Sequence, residues 1–327
     1  MSKADQQTSV GKSPRNRLFQ GDCLKIMSRW DDNSLDLIFS DPPYNIGYNY
    51  DHYDDNREHE DYVAWTESWI DQCTRLLKPT GSMYILIGDE YAAETRLHLR
   101  KLQNEGKLMF RNWIIWHYTF GQRCKVKFNR SHAHLFYCVG SAALTAKSIT
   151  KNPPFAFNRD AIALPSARMT TYADKRANPA GKLPDDTWYL RHFPDAALWH
   201  TRPQDASENT EEYFAPDSDT WNQSRLCGTF NERTTWHPCQ LPEALLHRII
   251  KVSSNPGDIV FDPFTGSGTT LVAAKQLGRD YLGTELSKDY AVNARKRIKK
   301  TTVDQDAMQT TATATDKVAR NLATVAV

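Results

Sequence analysis

Hydrophobic and polar positions along the chain form two kinds of segment. Short apolar runs such as SLDLIFS (34–40) predict buried strands, because they stop abruptly at turn-forming residues. Longer segments such as EDYVAWTESWIDQCTRLL (60–77) repeat apolar residues at the spacing of one helix face. The tetrapeptide KPTG is predicted to end that helix, and SMYILIG (82–88) is predicted to be the next strand. Strands that alternate with helices indicate a parallel sheet covered on both faces.

The same patterns predict elements at both ends of the chain. Before residue 147 they are a helix in EYAAETRLHLRKLQNEG and strands in FRNWIIWHY and HAHLFYCVG. After residue 236 they are helices in PEALLHRIIKVSS, TTLVAAKQLG and SKDYAVNARKRIKK, with strands in DIVFD and DYLGTEL. The second group forms a β-α-β unit.

Composition divides the chain into blocks. Residues 147–236 are rich in Pro, Asp, Asn, Trp and Arg and show little periodicity, so they predict a loop-rich insertion between the α/β blocks 18–146 and 237–300. Residues 1–17 and 301–327 have the composition of a polar tail and a disordered tail. Aromatic residues interleaved with Arg and Lys in the insertion also suit a nucleic-acid surface.

The net charge and the cysteine content exclude few classes of protein. The 327 residues carry a net charge of +2, and six cysteines form no C-x-x-C pair. We therefore expect reduced cysteines and no metal site. No apolar stretch reaches the roughly 18 residues that cross a bilayer, and the polar N-terminus lacks a secretory signal. These features predict a cytoplasmic protein with no membrane association.

A glycine-rich loop follows one predicted strand of the last block. In DIVFDPFTGSGTT, Gly266 and Gly268 let the backbone turn sharply and approach a ligand. Glu285, at the end of the next strand, has the position of an acid that binds ribose hydroxyls. Leu271 replaces the third glycine of a dinucleotide-binding loop, and no Walker lysine follows Gly268. The loop therefore favours a nucleoside cofactor without phosphates and disfavours a nicotinamide oxidoreductase.

A second motif, DPPY (41–44), ends the first buried strand. Asp41 lies at the carboxyl end of a predicted parallel strand, where ligands bind in open α/β sheets. Pro42 and Pro43 fix the backbone and remove N–H donors. The Asp41 carboxylate and a rigid backbone carbonyl are both acceptors, and they suit an exocyclic amine with two N–H donors. Tyr44 offers a ring for stacking on a planar heterocycle.

A basic run, RCKVKFNR, gives one local cluster of positive charge. Its cations are Arg123, Lys125, Lys127 and Arg130, and Arg111 lies just upstream. Such a run is often only a solvated surface. Beside the aromatic, Arg-rich insertion, it is also a candidate for contacts with phosphates.

Three motifs together resemble the signatures of S-adenosylmethionine-dependent DNA amino-methyltransferases. They are DPPY (41–44), HPCQLP (237–242) and FDPFTGSGTT (261–270), and the likeness covers roughly residues 18–298. The catalytic motif precedes the cofactor loop, which is the order of the permuted subgroup called β-class. The chain departs from the family's H-P-x-Q-K-P at Leu241, which replaces the lysine that would contact the cofactor's carboxylate directly.

The resemblance implies one Rossmann-like, three-layer methyltransferase sheet, mostly parallel with an antiparallel hairpin strand, built from both ends of the chain. The insertion 147–236 would be the target-recognition region. Asp41, Pro42, Pro43 and Tyr44 would hold and stack the target base. The S-adenosylmethionine site would comprise Asp22, His237, Gln240, Asp262, Pro263, Phe264, Gly266, Gly268 and Glu285. His237 and Gln240 would lie near the methionine portion, Asp22 near the adenine and Glu285 at the ribose.

The implied reaction is methyl transfer to the N6 amino group of adenine in a short sequence of double-stranded DNA. Cytosine N4 is the close alternative, and aspartate as first letter of the motif favours adenine in this family. RNA is a less favoured substrate. An alternative from another functional class is a catalytically silent DNA-binding protein that keeps the methyltransferase fold. The resemblance also suggests a functional partnership with a restriction endonuclease, and either a monomer or a homodimer.

Overall fold

The computed structural model describes residues 14–51, 53–118, 125–126, 128, 130–163, 175–184, 186–189 and 232–304. Their strands form one eight-stranded sheet. The strands are β1 (Arg17–Gln20), β2 (Leu35–Ser40), β3 (Leu77–Ile87), β4 (Leu108–His117), β5 (His132–Gly140), β6 (Thr187–Tyr189), β7 (Ile259–Asp262) and β8 (Asp280–Glu285). Their spatial order is β1-β8-β7-β2-β3-β5-β4-β6.

Helices cover the two faces of this sheet. They are α1 (Cys23–Met27), α2 (His59–Leu76), α3 (Ala92–Asn104), α4 (Ala142–Thr145), α5 (Glu243–Ser253), α6 (Thr269–Gln276) and α7 (Lys288–Lys300). Alternate residues of β2 point to opposite faces: Ile38 packs in the core beneath α1, α2 and α3, whereas Leu37 and Phe39 pack in the core beneath α5 and α6. The three-layer α/β prediction is confirmed.

In the sheet formed by the described residues, β5 alone runs opposite to the other strands. β1, β8, β7, β2 and β3 pair in parallel, β5 pairs antiparallel with both β3 and β4, and β6 pairs in parallel with β4. The sheet is therefore mostly parallel with an antiparallel hairpin, as predicted. The described part contains no helix long and apolar enough to cross a membrane.

The order of the strands brings distant parts of the sequence together. β7 lies directly beside β2, with Leu37 opposite Val260 and Ile38 opposite Phe261. Both strands run in the same direction, so the residues that follow them, Asp41 and Pro263, leave the same edge of the sheet. The crevice at this edge is the place where open α/β sheets bind ligands.

Several local predictions differ from the structure. The segment KPTG does not separate helix from strand, because β3 already begins at Leu77. The short elements β1 and α1 were not predicted, since four and five residues are too few to show a periodic pattern. The chain enters the sheet at Arg17, the last residue of the predicted N-terminal tail, and Arg15 forms an ion pair with Asp280.

Candidate active site

A cavity of about 260 Å³ opens at the carboxyl ends of β2, β7 and β8. It is lined by residues from both motifs that the sequence separates by more than two hundred positions. The predicted site residues in its wall are Asp22, Asp41, Pro42, Pro43, Tyr44, His237, Gln240, Asp262, Pro263, Phe264, Gly266 and Glu285. One cavity thus contains both the candidate base-binding motif and the candidate cofactor loop.

The DPPY turn is held in place by tyrosine hydroxyls. Tyr44 donates a hydrogen bond to Asp41 Oδ1 at 2.8 Å, and Tyr62 of α2 donates to the Pro43 carbonyl at 2.6 Å. A side chain at Gly88, just beyond β3, would lie 3.2 Å from the Tyr44 ring. The turn is therefore fixed on both sides, and the Asp41 carboxylate is held at the cavity wall.

Glu285 organises the glycine loop. Its Oε2 accepts the N–H of Gly266 at 2.7 Å, and its Oε1 accepts the N–H of Ser287 at 2.8 Å. Each carboxylate oxygen has two lone pairs, so each can still accept a hydroxyl from the cavity. Burial raises the pKa of Glu285, while these backbone donors oppose the shift.

The two glycines of the loop have different surroundings. Gly266 has φ +50°, and a Cβ there would lie 2.8 Å from Nε2 of His237. Gly268, with φ +83°, is outside the cavity wall, and its Cβ would meet Ala294 of α7 at 3.2 Å. Gly266 therefore shapes the cavity, whereas Gly268 permits close packing of α6 against α7.

His237 and Gln240 come from the HPCQ segment just before α5. Burial, with the nearby Arg297 cation, lowers the pKa of His237 to about 4, so the imidazole is neutral near pH 7. The Gln240 amide accepts from the N–H of Thr234 at 2.7 Å and donates to the Glu232 carbonyl at 2.7 Å. Gln240 lines the cavity while its side chain fixes the preceding loop.

Asp22 is held at the amino end of α1. Its Oδ1 accepts the N–H of Lys25 at 2.9 Å, which caps the helix. The N–H of the neighbouring Gly21 donates to the Glu285 carbonyl at 2.8 Å. Asp22 and Glu285 therefore lie on adjoining strand ends at one side of the cavity.

Comparison with known proteins shows the family to which the chain belongs. The profile of the N6/N4 DNA methylase family matches residues 35–296, most of the chain. The chain belongs to the N6/N4 DNA methylase family. This membership confirms the family predicted from the three motifs.

Two relatives of this DNA methylase match most of its sequence. The type II methyltransferase M.HpaI of Haemophilus parainfluenzae is 31% identical over 283 residues, which cover 86% of this chain and 74% of that protein. The DNA adenine methyltransferase YhdJ of Escherichia coli K12 is 32% identical over 289 residues, 86% of this chain and 82% of that protein.

Two solved structures share the fold of the methylase. The putative DNA modification methylase TTHA0409 of Thermus thermophilus, complexed with S-adenosyl-L-methionine, has a TM-score of 0.51 and 21% identity, covering 86% of this chain and 93% of that one. The cytosine-N4-specific PvuII DNA methyltransferase has a TM-score of 0.52 and 14% identity, covering 93% and 94%. At these identities the likeness concerns the fold.

An aromatic wall of the methylase cavity was missed in the sequence. Tyr53 and Trp65 have ring centroids 5.6 Å apart, and Trp65 lies 5.5 Å from Phe264. The guanidinium of Arg57 lies over the Tyr53 ring, 4.6 Å from its centroid. For Tyr53 the signal was the aromatic density of YNYDHY (48–53), which is separated from DPPY by three residues. This stretch has no periodicity and shows its role only when the segment folds over the cavity.

The charge of the wall is strongly unequal. Its five acidic residues are Asp22, Asp41, Asp51, Asp262 and Glu285. Arg57 is the one Lys or Arg side chain that the described part of the chain contributes to it. Such a wall attracts a cationic ligand and repels a pyrophosphate.

The residues predicted to contact DNA phosphates have different surroundings where the structure describes them. Arg130 forms ion pairs with Asp89, at 2.6 Å, and with Glu90, so phosphate would compete with two carboxylates. Arg111 lies five residues before Trp116 on β4, about 17 Å from this cavity residue along the strand. Lys125 is exposed, whereas Arg123 and Lys127 lie outside the described residues.

The raised pKa of Asp262 predicts that the stability of the protein changes measurably with pH. It is buried and bonded to the N–H of Phe264 and the hydroxyl of Thr270, and burial raises its pKa from 3.8 to about 7. Between these values the unfolded chain ionises first, so stability contributed by Asp262 is lost as pH rises and is constant above about pH 7. We expect Asp262→Asn to gain stability relative to the wild type across this window.

Urea unfolding of both proteins at about pH 5 and about pH 7.5 measures the difference. The exposed Asp61→Asn is the matched control and should show no such trend. A wild-type-to-Asp262→Asn difference that is the same at both pH values would contradict the assigned pKa.

Proposed function

We propose that this DNA methylase transfers a methyl group from S-adenosylmethionine to the N6 amino group of adenine in double-stranded DNA. The observation that carries the proposal is the single cavity lined by both Asp41 and Gly266. A target amine bound at Asp41 and a cofactor bound at the Gly266 loop would therefore occupy the same cavity. The family membership supports the same chemistry on DNA.

The cavity wall fits S-adenosylmethionine better than a phosphate-bearing cofactor. Its carboxylates suit the positively charged sulfonium and ammonium groups. Glu285, already aligned by two backbone donors, has lone pairs for the ribose hydroxyls. The absence of a Cβ at Gly266 leaves the space beside His237 open. The wall also discriminates against the product, which has lost the sulfonium charge.

In the proposed reaction the residues of the chain act by positioning and electrostatics. Bound S-adenosylmethionine supplies an electrophilic methyl group. Tyr44 stacks on the target base, and the Asp41 carboxylate accepts one amino N–H while the Pro42 carbonyl accepts the other. These contacts hold the nitrogen lone pair out of conjugation with the ring and aim it at the methyl carbon. The N–CH3 bond would form as the S–CH3 bond breaks, S-adenosylhomocysteine would leave as a neutral thioether, and the methylated nitrogen would release one proton to water, with no covalent bond to the enzyme.

The proposed base is adenine, with cytosine N4 as the second candidate. Aspartate in the first position of the motif favours adenine, and one relative at 32% identity is named as a DNA adenine methyltransferase. The fold likeness to a cytosine-N4-specific enzyme keeps the alternative in the test.

The cellular setting is also a proposal. Relatives named as type II methyltransferases support a role beside a cognate restriction endonuclease, as a functional rather than a necessarily physical partner. Residues 147–236 would read the target sequence, and the basic run would contact DNA phosphates. We propose a cytoplasmic monomer or homodimer.

The deciding experiment incubates the protein with labelled S-adenosylmethionine and unmethylated genomic DNA. We expect label in N6-methyldeoxyadenosine after digestion to nucleosides, and sequencing of the modified bases gives the target sequence. Label in N4-methyldeoxycytidine would correct the base. A parallel incubation with RNA in place of DNA tests the other nucleic acid, and label in RNA alone would overturn the substrate. DNA binding in a mobility-shift assay without any transfer would identify a catalytically silent binding protein.

Arg297 gives a separate prediction about cofactor binding. From α7 it donates to the Ser267 carbonyl at 3.1 Å and the Thr269 hydroxyl at 2.9 Å, and it pairs with Glu243 of α5 at 2.7 Å. It therefore fixes the glycine loop against two helices. We expect Arg297→Met to weaken S-adenosylmethionine binding about tenfold, since such bonds contribute roughly 1.4 kcal/mol or more.

Calorimetric titration with S-adenosylmethionine measures this change. Lys296→Met is the control, because Lys296 is an exposed cation next to Arg297 on the same helix. Equal affinities for the two variants would show that Arg297 does not support the loop.

A further inference from the structure

The segment directly after DPPY, residues 45–48, is a rigid turn. Gly47 has φ +74° and Asn45 has φ +55°. The buried carboxylate of Asp55 accepts the N–H groups of Asn45 at 2.8 Å, Ile46 at 3.1 Å and Tyr48 at 2.9 Å. The N–H of Gly47 donates to the Asp55 carbonyl at 2.8 Å. Four consecutive amides are thus fixed by one residue.

Two large apolar side chains extend from this turn into solvent. Ile46 is 53% exposed and Tyr48 is 41% exposed, and both also line the cavity that contains Asp41 and Tyr44. Single exposed apolar residues are common on protein surfaces. Here the exposure coincides with a fixed backbone and with the mouth of the candidate base pocket, which points to a partner that enters this mouth.

The partner with the required chemistry is the DNA duplex itself. A base that leaves the helix for the cavity leaves a gap between two stacked neighbours, and unstacking costs free energy. Apolar side chains insert between base steps in other DNA complexes. A rigid support loses little conformational entropy when its side chain inserts. No charged group is needed for this contact.

We propose that the 45–48 turn is a wedge that enters the DNA base stack, with Ile46 filling the space left by the extruded base and Tyr48 packing against a neighbouring base. The wedge rests on the proposed function, because it requires a base to be extruded into the cavity. Its position directly after Tyr44 couples the insertion to the ring that receives the base.

The test compares Ile46→Ala with the wild type on two duplexes that contain the mapped target sequence. In one the target adenine is paired with thymine, and in the other it lies opposite an abasic site, which lowers the cost of extrusion. We expect Ile46→Ala to slow single-turnover methylation of the paired duplex at least about tenfold, and that of the abasic duplex less than about threefold. Ile46→Leu should restore the rate on the paired duplex.

Fluorescence of 2-aminopurine at the target position reports extrusion independently of transfer. Its increase on binding should be smaller for Ile46→Ala than for the wild type with the paired duplex. Leu97→Ala is the control, since Leu97 is a 61% exposed aliphatic residue on α3 outside the cavity wall. This variant should match the wild type on both duplexes.

Three outcomes would overturn the wedge. Equal losses on both duplexes would place Ile46 in the base pocket instead, and no loss on either would give it no role. If the wild type sediments as a dimer and Ile46→Ala sediments as a monomer, Ile46 would belong to an interface between copies of this chain. A wild-type protein that methylates neither duplex would instead overturn the proposed function.

Discussion

Replacing Asp41 with alanine is expected to reduce methyl transfer to DNA by about a thousandfold or more. The carboxylate lies in the wall of the cavity and is oriented by the Tyr44 hydroxyl at 2.8 Å. Its removal takes away the acceptor that would hold the target amine and leaves the nitrogen lone pair conjugated with the base. Single-turnover transfer of labelled methyl groups to the mapped DNA sequence measures the loss.

The same variant should bind S-adenosylmethionine within about threefold of the wild-type affinity, because the glycine loop and Glu285 are unchanged. Asp61→Ala removes an equivalent charge from the exposed start of α2 and should retain full activity. Asp41→Asn, which keeps the size and one acceptor oxygen, should recover part of the rate. Full activity of Asp41→Ala would disprove the assigned role of DPPY.

Gly266→Ala is expected to raise the dissociation constant for S-adenosylmethionine at least about thirtyfold, equivalent to about 2 kcal/mol. Gly266 has φ +50°, where a side chain costs roughly 1 kcal/mol. The new Cβ would also lie 2.8 Å from Nε2 of the buried His237, so the loop or the imidazole must move. Either displacement changes the wall between His237 and Glu285.

Gly106→Ala measures the cost of placing a side chain at positive φ without a steric clash. Gly106 has φ +76° with nothing within 4 Å of its Cβ position, so this variant should lose stability and keep its cofactor affinity. Adding His237→Ala to Gly266→Ala removes the contacting ring, so the glycine substitution should cost less in that background. Unchanged cofactor affinity in Gly266→Ala would exclude the loop from the cofactor site.

Much of the fold follows from local sequence. Short apolar runs predicted β2, β7 and β8, and helical periodicity predicted α2, α3, α5 and α7, because burial of one face imposes the period of each element. Errors occurred where the pattern is short or interrupted. KPTG contains two turn-forming residues, yet it continues β3, where Lys78 forms an ion pair with Asp36 at 2.6 Å.

Surroundings in the folded protein changed the interpretation of individual residues. Gly266 and Gly268 are equivalent in the motif, but one adjoins His237 and the other adjoins Ala294. Arg130 has the same charge as its neighbours in the basic run, yet it pairs with Asp89 and Glu90. Partners far along the chain decide such differences, and spacing within a motif carries no information about them.

The sequence by itself determined the family, the two chemical motifs and their order, because a strand end followed by DPPY or by a glycine loop is a local property of the chain. Only the tertiary structure decided that Asp41 and Gly266 line one cavity. It also assigned Tyr53 and Trp65 to the cavity wall and exposed Ile46 at its mouth. The physical reason is that the two motifs meet only because β2 pairs with β7. This pairing joins residues more than two hundred positions apart, and no local pattern in the sequence records it.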